Sequence, residues 1–365
     1  MKIHQIAPPY IPVHPAISYG GIERVMYQLD KRLTSMGHET SMSAPLGSRP
    51  VGKLYETIMP VGFGEDKRFS EIDSFFLKLD HIAMSINTAN RENFDIVHVH
   101  EENQLPFFRF VKKPVIHTIH SIPEEFWKPQ LHPGITEAKN LVAVSKKVMD
   151  IYSDMGFDVR YVVHNGFDID YKYFCPEKLD YLLALSIIRP EKGFETAIDV
   201  AENLEMSLVL AGNIGDTDYF NKIKPRITHS IEDAEDKLHA YKQLPRGRKV
   251  IYAGRVDDRQ KYPLFAHAKT FLVPSIIEDS LPGVVIEAMA CGTPVIGFNR
   301  GGIPEMIHHC YTGYIVENVD EMTDAVKKAD DIDPSVCRNH YESYFTSDVM
   351  AKNYLDVYRE VCRNG

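Results

Sequence analysis

The sequence predicts an α/β protein made of two doubly wound domains. Short apolar runs alternate with amphipathic segments along most of the chain, as expected for parallel strands that helices cover on both faces. The alternation falls into two blocks, separated by residues 164–178, which show little periodicity. A chain of 365 residues is long enough for two domains of ordinary size. We therefore expect two Rossmann-like domains that join near residue 170, with a ligand site in the cleft between them.

The first block contains a regular series of predicted elements. A first strand ends before two prolines, and apolar residues at helical spacing predict a helix after Gly20 and Gly21. Residues 46–75 are richer in glycine, proline and charge, and they predict a loop that leads into a helix over 75–86. Further strands of this block are predicted within 38–44, 94–100, 114–121, 140–152 and 159–168.

The second block repeats the alternation and contains a composite stretch from Phe271 to Val316. This stretch reads as strand, loop, helix, strand, glycine turn and helix. Acidic residues stand where strands pass into helices, and ligands bind at that edge of an open α/β sheet. These acids are Glu278, Asp279, Glu287 and Glu305. The predicted strands of the block lie within 181–186, 207–213, 249–255, 269–275, 294–299 and 313–316.

Composition limits the partners and the compartment. The 41 basic and 51 acidic residues give a net charge of −10, which argues against nucleic acid or an anionic membrane as the main partner. The five cysteines are scattered and include no CxxC pair, so they predict reduced thiols rather than disulfides or a zinc site. No signal peptide opens the sequence and no apolar run of about 18 residues occurs. We expect a cytoplasmic protein without an integral membrane segment.

Several residues indicate a ligand that carries phosphate and hydroxyl groups. Glycines directly before a helix, as at Gly20 and Gly21, allow close backbone approach and leave N–H groups free. Helix N-termini attract anions, and carboxylates accept hydrogen bonds from sugar hydroxyls. Asp279 can lie in a loop while Glu287, eight residues later, lies on the helix. The same two acids could also be an ordinary helix cap and a surface residue, so residue types alone leave both interpretations open.

The composite stretch resembles the donor site of family-4 glycosyltransferases. In that family an acid-x7-acid element precedes AMA-x-G-x-PV and a GG-x-x-E turn, and this chain has Asp279, Glu287, AMACGTPV and GGIPE at those places. The family usually has glutamate at the position of Asp279, and here Glu278 stands one place earlier. The opening APPYIPV and the GGIERV segment at Gly20 resemble a subgroup of the same family. The resemblance runs from the first residue to about Val316 and more loosely to the C-terminus.

The resemblance implies the GT-B fold, in which two doubly wound Rossmann-like domains face each other across a cleft. It implies an acceptor-side domain over 1–168, a donor domain over 169–345 and a C-terminal helix over 346–365 that crosses back to the first domain. The implied reaction moves a sugar from a nucleotide-diphospho-sugar to an acceptor hydroxyl with retention at the anomeric carbon. No cofactor and no metal are expected. The acceptor is a saccharide, a lipid-linked sugar or a small molecule, and we expect its selection to come from loops 46–75 and 121–135.

The resemblance also implies roles for individual residues. Asp279 and Glu278 would hold the transferred sugar, and Glu287 would hold the ribose hydroxyls. His120 ends a predicted strand and matches the histidine that contacts the donor sugar near the reacting centre, whereas the other strand histidines, His98, His100 and His117, are expected to be packing or supporting residues. The remaining donor-binding residues are Ser280, Leu281, Gly283 and Val284 through their amides, and Gly20, Gly21, Lys192 and Arg189 at the diphosphate.

Arg189 enters that set because the chain departs from the family pattern. The family has an arginine five residues before the lysine that corresponds to Lys192, and this chain has Ile187 there. Arg189 lies two residues later and is the candidate to contact the phosphates instead.

Other functions on this fold remain open. A nucleotide-sugar epimerase would form product without an acceptor, and a binding protein that has lost catalysis would bind donor without transfer. A glycoside phosphorylase would need a pyridoxal phosphate lysine and a much longer chain. A dinucleotide oxidoreductase is disfavoured because no G-x-G-x-x-G follows the first strand of either block.

Overall fold

The computed structural model describes residues 1–17, 20–62, 68–123, 138–245 and 247–364. The chain divides into two compact units, Met1–Asp168 with Thr346–Gly365, and Ile169–Phe345. Parts of the two loops for which we expect acceptor selection, residues 63–67 and 124–135, lie outside the described residues. No helix in the described ranges combines the length and the apolar character needed to cross a membrane.

The first unit is organised around a parallel sheet with seven strands in its described part, in the order β3-β2-β1-β4-β5-β6-β7. The strands are β1 (Lys2–Ile6), β2 (Glu39–Ala44), β3 (Lys53–Glu56), β4 (Ile96–Val99), β5 (Val115–Ile119), β6 (Leu141–Ala143) and β7 (Val159–Val162). Three helices are interspersed: α1 (Gly21–Ser35), α2 (Glu71–Arg91) and α3 (Lys146–Asp154). The strand order reverses between β1 and β4, and ligand sites form at the carboxyl ends of strands at such a switch point.

Both faces of this sheet are covered, which explains the largely apolar sequence of central strands such as β4. On one face Ala89 of α2 packs in a buried cluster with Val97 of β4. On the other face Met26 of α1 packs with Met42 of β2. All four residues of β4 are buried. The apolar, non-alternating sequence of β4 is thus a consequence of burial on both faces of the sheet.

One strand of this unit is not predicted from the sequence. β3 (Lys53–Glu56) lies in the segment 46–75, for which we predict a loop and a helix, and it pairs with β2 at the edge of the sheet. Its two end residues are charged and exposed and its middle residues are half-buried, so it shows no apolar alternation. Charged, short edge strands prevent pairing with other chains. The prediction of a loop was wrong here because the strand has no buried face, and its sequence therefore lacks the apolar pattern by which a strand is recognised.

The second unit is organised around another parallel sheet, with the described order β10-β11-β9-β8-β12-β13-β14. The strands are β8 (Tyr181–Leu185), β9 (Ser207–Ala211), β10 (His229–Ser230), β11 (Val250–Tyr252), β12 (Thr270–Val273), β13 (Val295–Phe298) and β14 (Gly313–Val316). The helices are α4 (Phe194–Asn203), α5 (Thr217–Ile223), α6 (Lys237–Gln243), α7 (Asp258–His267), α8 (Gly283–Ala290), α9 (Ile303–Met306), α10 (Val319–Lys327) and α11 (Pro334–Tyr344). Here the strand order reverses between β8 and β12.

The last helix, α12 (Ser347–Asn364), belongs to the first unit. It packs against α1, where Arg32 Nε donates a hydrogen bond to Asp348 Oδ1 at 2.8 Å. Two of its tyrosines are fully buried. The hydroxyl of Tyr354 lies 2.9 Å from Thr118 Oγ1, and that of Tyr358 lies 2.8 Å from His98 Nδ1. Polar groups of the sheet interior therefore find their partners on this helix.

The buried hydrogen bond of Tyr358 can be tested with a matched pair of variants. Tyr358→Phe leaves the buried Nδ1 of His98 without a partner and is expected to destabilise the protein by about 1–3 kcal/mol. Tyr161→Phe removes an exposed hydrogen bond from Tyr161 to Glu360 on the same helix and is expected to cost about 0.5 kcal/mol or less. Thermal denaturation midpoints check this. Equal midpoints for the two variants would contradict the assignment.

Candidate functional site

A cavity of about 40 Å³ lies at the carboxyl edge of the second sheet, at the switch point between β8 and β12. Ser186 after β8 and Ser275 after β12 line it. The side chains of Lys192 and Asp279 also line it, and Val284 in the first turn of α8 forms part of the wall. The structure therefore brings together predicted site residues from two separate segments of the sequence, Lys192 from one and Asp279 and Val284 from the other.

A short turn positions Lys192. Residues 190–192 form a 3-10 turn, and Gly193 follows with a φ of 68°. A Cβ at Gly193 would lie 2.0 Å from the carbonyl oxygen of Pro274, so this position requires glycine for both conformation and space. The close contact holds the turn against the loop that follows β12, and Lys192 is thereby placed at the cavity.

The two acids after β12 have different partners. The Asp279 carboxylate accepts a hydrogen bond from Lys192 Nζ, and these side chains are only 16% and 18% exposed. Glu278 accepts a hydrogen bond from the backbone N–H of Gly301. Gly302 N donates to the Asp279 carbonyl oxygen at 2.7 Å, and a Cβ at Gly301 would lie 2.0 Å from that same oxygen. The glycine turn after β13 therefore packs directly on the acidic loop.

The first turn of α8 supplies backbone donors. Ser280 and Leu281 precede the helix, Pro282 is its N-cap, and Gly283 and Val284 begin it. The first amides of a helix have no acceptor inside the helix, and no side chain in the described part of the chain caps this one. The N-terminus can therefore donate hydrogen bonds to an anion or to a hydroxyl oxygen.

Glu287 lies farther along α8 and is 1% exposed. Its Oε1 is 2.8 Å from Lys261 Nζ and 3.4 Å from the Tyr262 hydroxyl, both on α7. This ion pair offsets the cost of burying the carboxylate. Lys261 and Tyr262 could not be predicted from the sequence, because no local pattern relates them to Glu287 and only the packing of α7 on α8 brings them together. A ribose-binding role for Glu287 stays a prediction.

Arg189 is not among the described residues that line the cavity. Its side chain is 48% exposed, and its Nη1 lies 3.9 Å from Glu191 Oε1. A Cβ at Gly215 would lie 2.8 Å from Arg189 Nε and 2.5 Å from Ile187 Cγ1, so both side chains run along the loop that follows β9. Contact of Arg189 with phosphates also stays a prediction.

In the first unit, buried histidines form a cluster near the switch point between β1 and β4. His120 follows β5, is 7% exposed, and its Nε2 lies 3.0 Å from His100 Nδ1. The ring of His98 packs on His100, and His98 Nε2 lies 2.7 Å from Thr118 Oγ1. Burial lowers the pKa of His120 to about 3 and the pKa of His100 well below its ordinary value. Both rings are therefore neutral near pH 7.

Two acids, Glu101 and Glu102, directly follow His100. Glu102 Oε1 accepts hydrogen bonds from the backbone N–H groups of His120 and Ser121, the latter at 2.6 Å, which fixes the backbone at the end of β5. Asn103 Nδ2 donates to Glu101 Oε1 at 2.9 Å. Burial, with the neighbouring Glu102 charge, raises the pKa of Glu101 to about 7, and burial raises the pKa of Glu102 as well. This pair was not predicted from the sequence, although two acids directly after a strand are the same signal that marks Glu278 and Asp279.

The glycine turn before α1 has an acidic neighbour. Gly20 has a φ of 115°, and a Cβ there would lie 2.4 Å from Ile11 Cδ1 and 2.7 Å from Glu23 Oε2. A Cβ at Gly21 would have no described atom within 4 Å. Burial raises the pKa of Glu23 to about 7. About half of the Glu23 carboxyls are therefore neutral at pH 7, so this residue opposes an anion at the helix N-terminus less than an ordinary glutamate would.

No group of three His, Cys, Asp or Glu side chains that could hold a metal ion occurs in the described ranges. The five free cysteines are spread over separate elements.

Solved structures of other proteins share this architecture. AviGT4, a glycosyltransferase involved in avilamycin A biosynthesis, superposes with a TM-score of 0.69 at 20% identity, over 100% of this chain and 98% of its own. HepE of Anabaena in complex with UDP superposes with a TM-score of 0.70 at 15% identity, over 99% and 100%. Two parallel seven-stranded sheets covered by helices thus define a protein of the GT-B fold, as predicted.

The family follows from the sequence comparisons. The model of glycosyl transferases group 1 matches residues 168–334, and the model of glycosyltransferase family 4 matches residues 19–171. N-acetyl-alpha-D-glucosaminyl L-malate synthase of Bacillus anthracis is 24% identical over 97% of both chains. Alpha-maltose-1-phosphate synthase of Mycobacterium tuberculosis is 25% identical over 74% of both chains. The chain belongs to the family-4 glycosyltransferases, and the predicted family is confirmed.

The proton between His100 and His120 can be assigned from an unpaired nitrogen. His100 Nε2 is buried and has no hydrogen-bond partner among the described residues. If His120 Nε2–H donated to His100 Nδ1, the proton of the neutral His100 ring would lie on Nε2, as a buried N–H group without an acceptor. Such N–H groups are rarer in proteins than buried acceptors without a donor. His100 Nδ1–H therefore donates to His120 Nε2, and His120 carries its own proton on Nδ1.

We expect nitrogen NMR spectra of histidine-labelled protein to show His120 as the Nδ1–H tautomer. The His120→Gln variant assigns its signals, and a nitrogen–proton correlation through the ring carbons distinguishes the two tautomers. A spectrum with the His120 proton on Nε2 would contradict the assignment. The measurement needs no substrate.

The raised pKa of Glu101 predicts a pH dependence of stability. The folded protein keeps this carboxyl protonated up to a pKa of about 7, against an ordinary value of 4.5. The stability that this raised pKa contributes is therefore fully present below pH 4.5, where both the folded and the unfolded protein are protonated at Glu101. It is lost as the pH rises toward 7. Glu101→Gln removes the titrating carboxyl and with it this loss. From pH 5 to pH 8 the free energy of unfolding of the variant should therefore rise relative to that of wild type by on the order of 1–3 kcal/mol.

Urea denaturation at the two pH values measures that difference. Because the same histidines titrate in both proteins, their opposite pH dependence cancels in the comparison. A constant difference between variant and wild type would show that Glu101 is ionised throughout.

Proposed function

We propose that this glycosyltransferase takes its sugar from a nucleotide-diphospho-sugar and transfers it with retention to an acceptor hydroxyl. The observation that carries the proposal is the Lys192–Asp279 pair in the cavity between β8 and β12. An ammonium group suits a diphosphate, and a carboxylate suits sugar hydroxyls. The first turn of α8 adds backbone donors for an anion beside both groups.

The ion pair suggests how a donor is received. In the free protein Asp279 neutralises Lys192. A diphosphate brings more negative charge than one carboxylate, so it takes Lys192 as its partner. Asp279 is then released to accept hydrogen bonds from the sugar. Lys192 and the amides from Ser280 to Val284 stabilise the charge that develops on the leaving diphosphate, and such stabilisation is commonly the largest contribution to rate.

The reaction balances with the substrates alone. The acceptor oxygen forms a bond to the anomeric carbon while the bond from that carbon to the phosphate oxygen breaks, on the same face of the sugar. The electron pair leaves with the diphosphate, and the acceptor proton passes to a phosphate oxygen. In this proposal His120 donates to the sugar, Glu278 supports the acidic loop, and Glu287 holds the ribose. Gly20, Gly21 and Arg189 are further contacts of the diphosphate. No metal takes part.

The comparisons support this donor class. HepE was solved with UDP and with UDP-glucose, and the chain shares its fold at 15% and 14% identity. The relative from Bacillus anthracis is named for the transfer of an N-acetylglucosaminyl group to malate. The free cysteines support a cytoplasmic location. The base, the sugar and the acceptor are left to experiment.

Calorimetric titration with UDP, GDP and ADP in the presence of a chelator tests the donor site. We expect one diphosphate to bind without metal, and Lys192→Met to weaken that binding about tenfold or more, because it removes the cation at the phosphates. Lys172→Met is the control, since Lys172 pairs with Asp170 and is 64% exposed. Binding of none of the three, or equal binding by the Lys192 variant, would overturn the proposal.

Asp279→Asn separates sugar binding from phosphate binding. Because the variant no longer competes for Lys192, the diphosphate should bind as tightly as to wild type or more tightly. Transfer should fall on the order of 100-fold, since the sugar loses its carboxylate. A loss of diphosphate affinity like that of Lys192→Met would contradict these roles. Product formed without acceptor would identify an epimerase, and donor binding without turnover of the wild type would identify a degenerate binding protein.

A further inference from the structure

A second, larger cavity of about 370 Å³ lies in the first unit, beside the residues that precede β5 and β6. His117 in β5 lines it, and three residues of extended strand, about 10 Å, separate His117 from His120. Lys113 and Asn140, which also line it, precede the amino ends of these strands. The volume lies in the range of small-molecule sites, about 300–1,000 Å³. The proposed transfer reaction uses none of these lining residues.

The cavity has an apolar wall. Leu105 and Phe108 are 3% and 2% exposed, and Val111 lies beside them after the 3-10 turn Phe108–Phe110. Apolar walls with a few polar groups are typical of sites that take small organic molecules. This wall can cover a short hydrocarbon body.

Three cations, Arg109, Lys113 and Lys139, also line the cavity, and no described Asp or Glu does. This local excess of positive charge stands out in a chain whose net charge is −10. Arg109 Nε donates to the Pro106 carbonyl oxygen at 2.7 Å. Lys113 and Lys139 have no ion pair with any described residue. The lysine charges are therefore available to an anionic group.

His117 is a buried polar residue among those that line the cavity. The residue is 6% exposed, and its Nδ1 is buried with no hydrogen-bond partner in the described part of the chain. Its ring packs edge-on against Phe108, with the ring centres 5.9 Å apart. Burial lowers its pKa to about 3, so the ring is neutral.

We propose that this cavity is a second ligand site for a small organic anion with a short apolar body. The anionic head, a phosphate or a carboxylate, lies among Arg109, Lys113 and Lys139. The apolar body lies along the wall that Leu105, Phe108 and Val111 form. The site is separate from the Lys192–Asp279 cavity, so it can be occupied whether or not the proposed donor site holds a nucleotide.

Hexyl phosphate is the probe, because it has both parts of the ligand. Calorimetric titration of the full chain should show binding on the order of 0.1–1 mM. Hexanol and inorganic phosphate, which each have one part, should bind about tenfold more weakly or not measurably. The titration is repeated with the Lys192→Met variant, which should bind hexyl phosphate like wild type and so exclude the Lys192 cavity as the place of binding.

Charge reversal locates the site. Lys113→Glu and Lys139→Glu should each weaken hexyl phosphate binding about tenfold. Lys112→Glu is the matched control, because Lys112 is the exposed neighbour of Lys113 and does not line the cavity, and it should bind like wild type. Absence of hexyl phosphate binding overturns the proposal, and so does equal binding by all three variants. A loss that occurs only with Lys192→Met overturns it as well, since the probe then occupies the Lys192 cavity.

Discussion

Two close backbone contacts hold the candidate donor site together. Gly193 and Gly301 both have left-handed φ values, 68° and 56°, and a Cβ at either would lie 2.0 Å from a carbonyl oxygen of the loop after β12. A side chain at either position would push a segment away from that loop. The placement of Lys192 beside Asp279 therefore depends on main-chain packing, and the ion pair is its consequence. A ligand can break the ion pair without dismantling the site.

The two units handle charge in different ways. In the second unit the site contains ion pairs, Lys192 with Asp279 and Lys261 with Glu287. In the first unit burial keeps the histidines at the end of β4 and β5 neutral and raises the carboxyl pKa values of Glu23 and Glu101 toward 7. A leaving diphosphate needs compensating charge, whereas sugar hydroxyls need donors and acceptors that can be neutral. In the proposed function, the second unit supplies the charged groups that face the diphosphate, and the first unit adds only the backbone of Gly20 and Gly21 there.

The sequence predicted what repeats or stands close together in the chain. Apolar runs indicated the strands of both sheets except β3 and β10, and acids after strands indicated Glu278 and Asp279. Contacts between residues that lie far apart in the sequence were not predicted. Lys261 contacts Glu287, for example, only because α7 packs on α8. His100 was expected to be a packing or supporting residue. Its effect on the position of the His120 proton could not be predicted, because it depends on His100 Nε2 having no hydrogen-bond partner among the described residues. The edge strand β3 was not predicted because it has no buried face and so no apolar pattern.

The replacement of the family arginine by Ile187 changes how the Lys192–Asp279 pair must work. Arg189 is turned toward Glu191 and is half exposed, so Lys192 is the cation that lines the described cavity. While Asp279 holds it, the pair presents no net charge to a diphosphate. Binding must then open the pair, and because both side chains are largely buried, opening leaves a carboxylate that needs new hydrogen-bond donors. The hydroxyls of the transferred sugar can supply these donors, whereas in a nucleoside diphosphate the ribose hydroxyls are proposed to lie at Glu287 and the diphosphate has no donor to offer. In the proposed function, phosphate and sugar recognition are therefore coupled through one ion pair, which favours an intact nucleotide sugar over the nucleotide product.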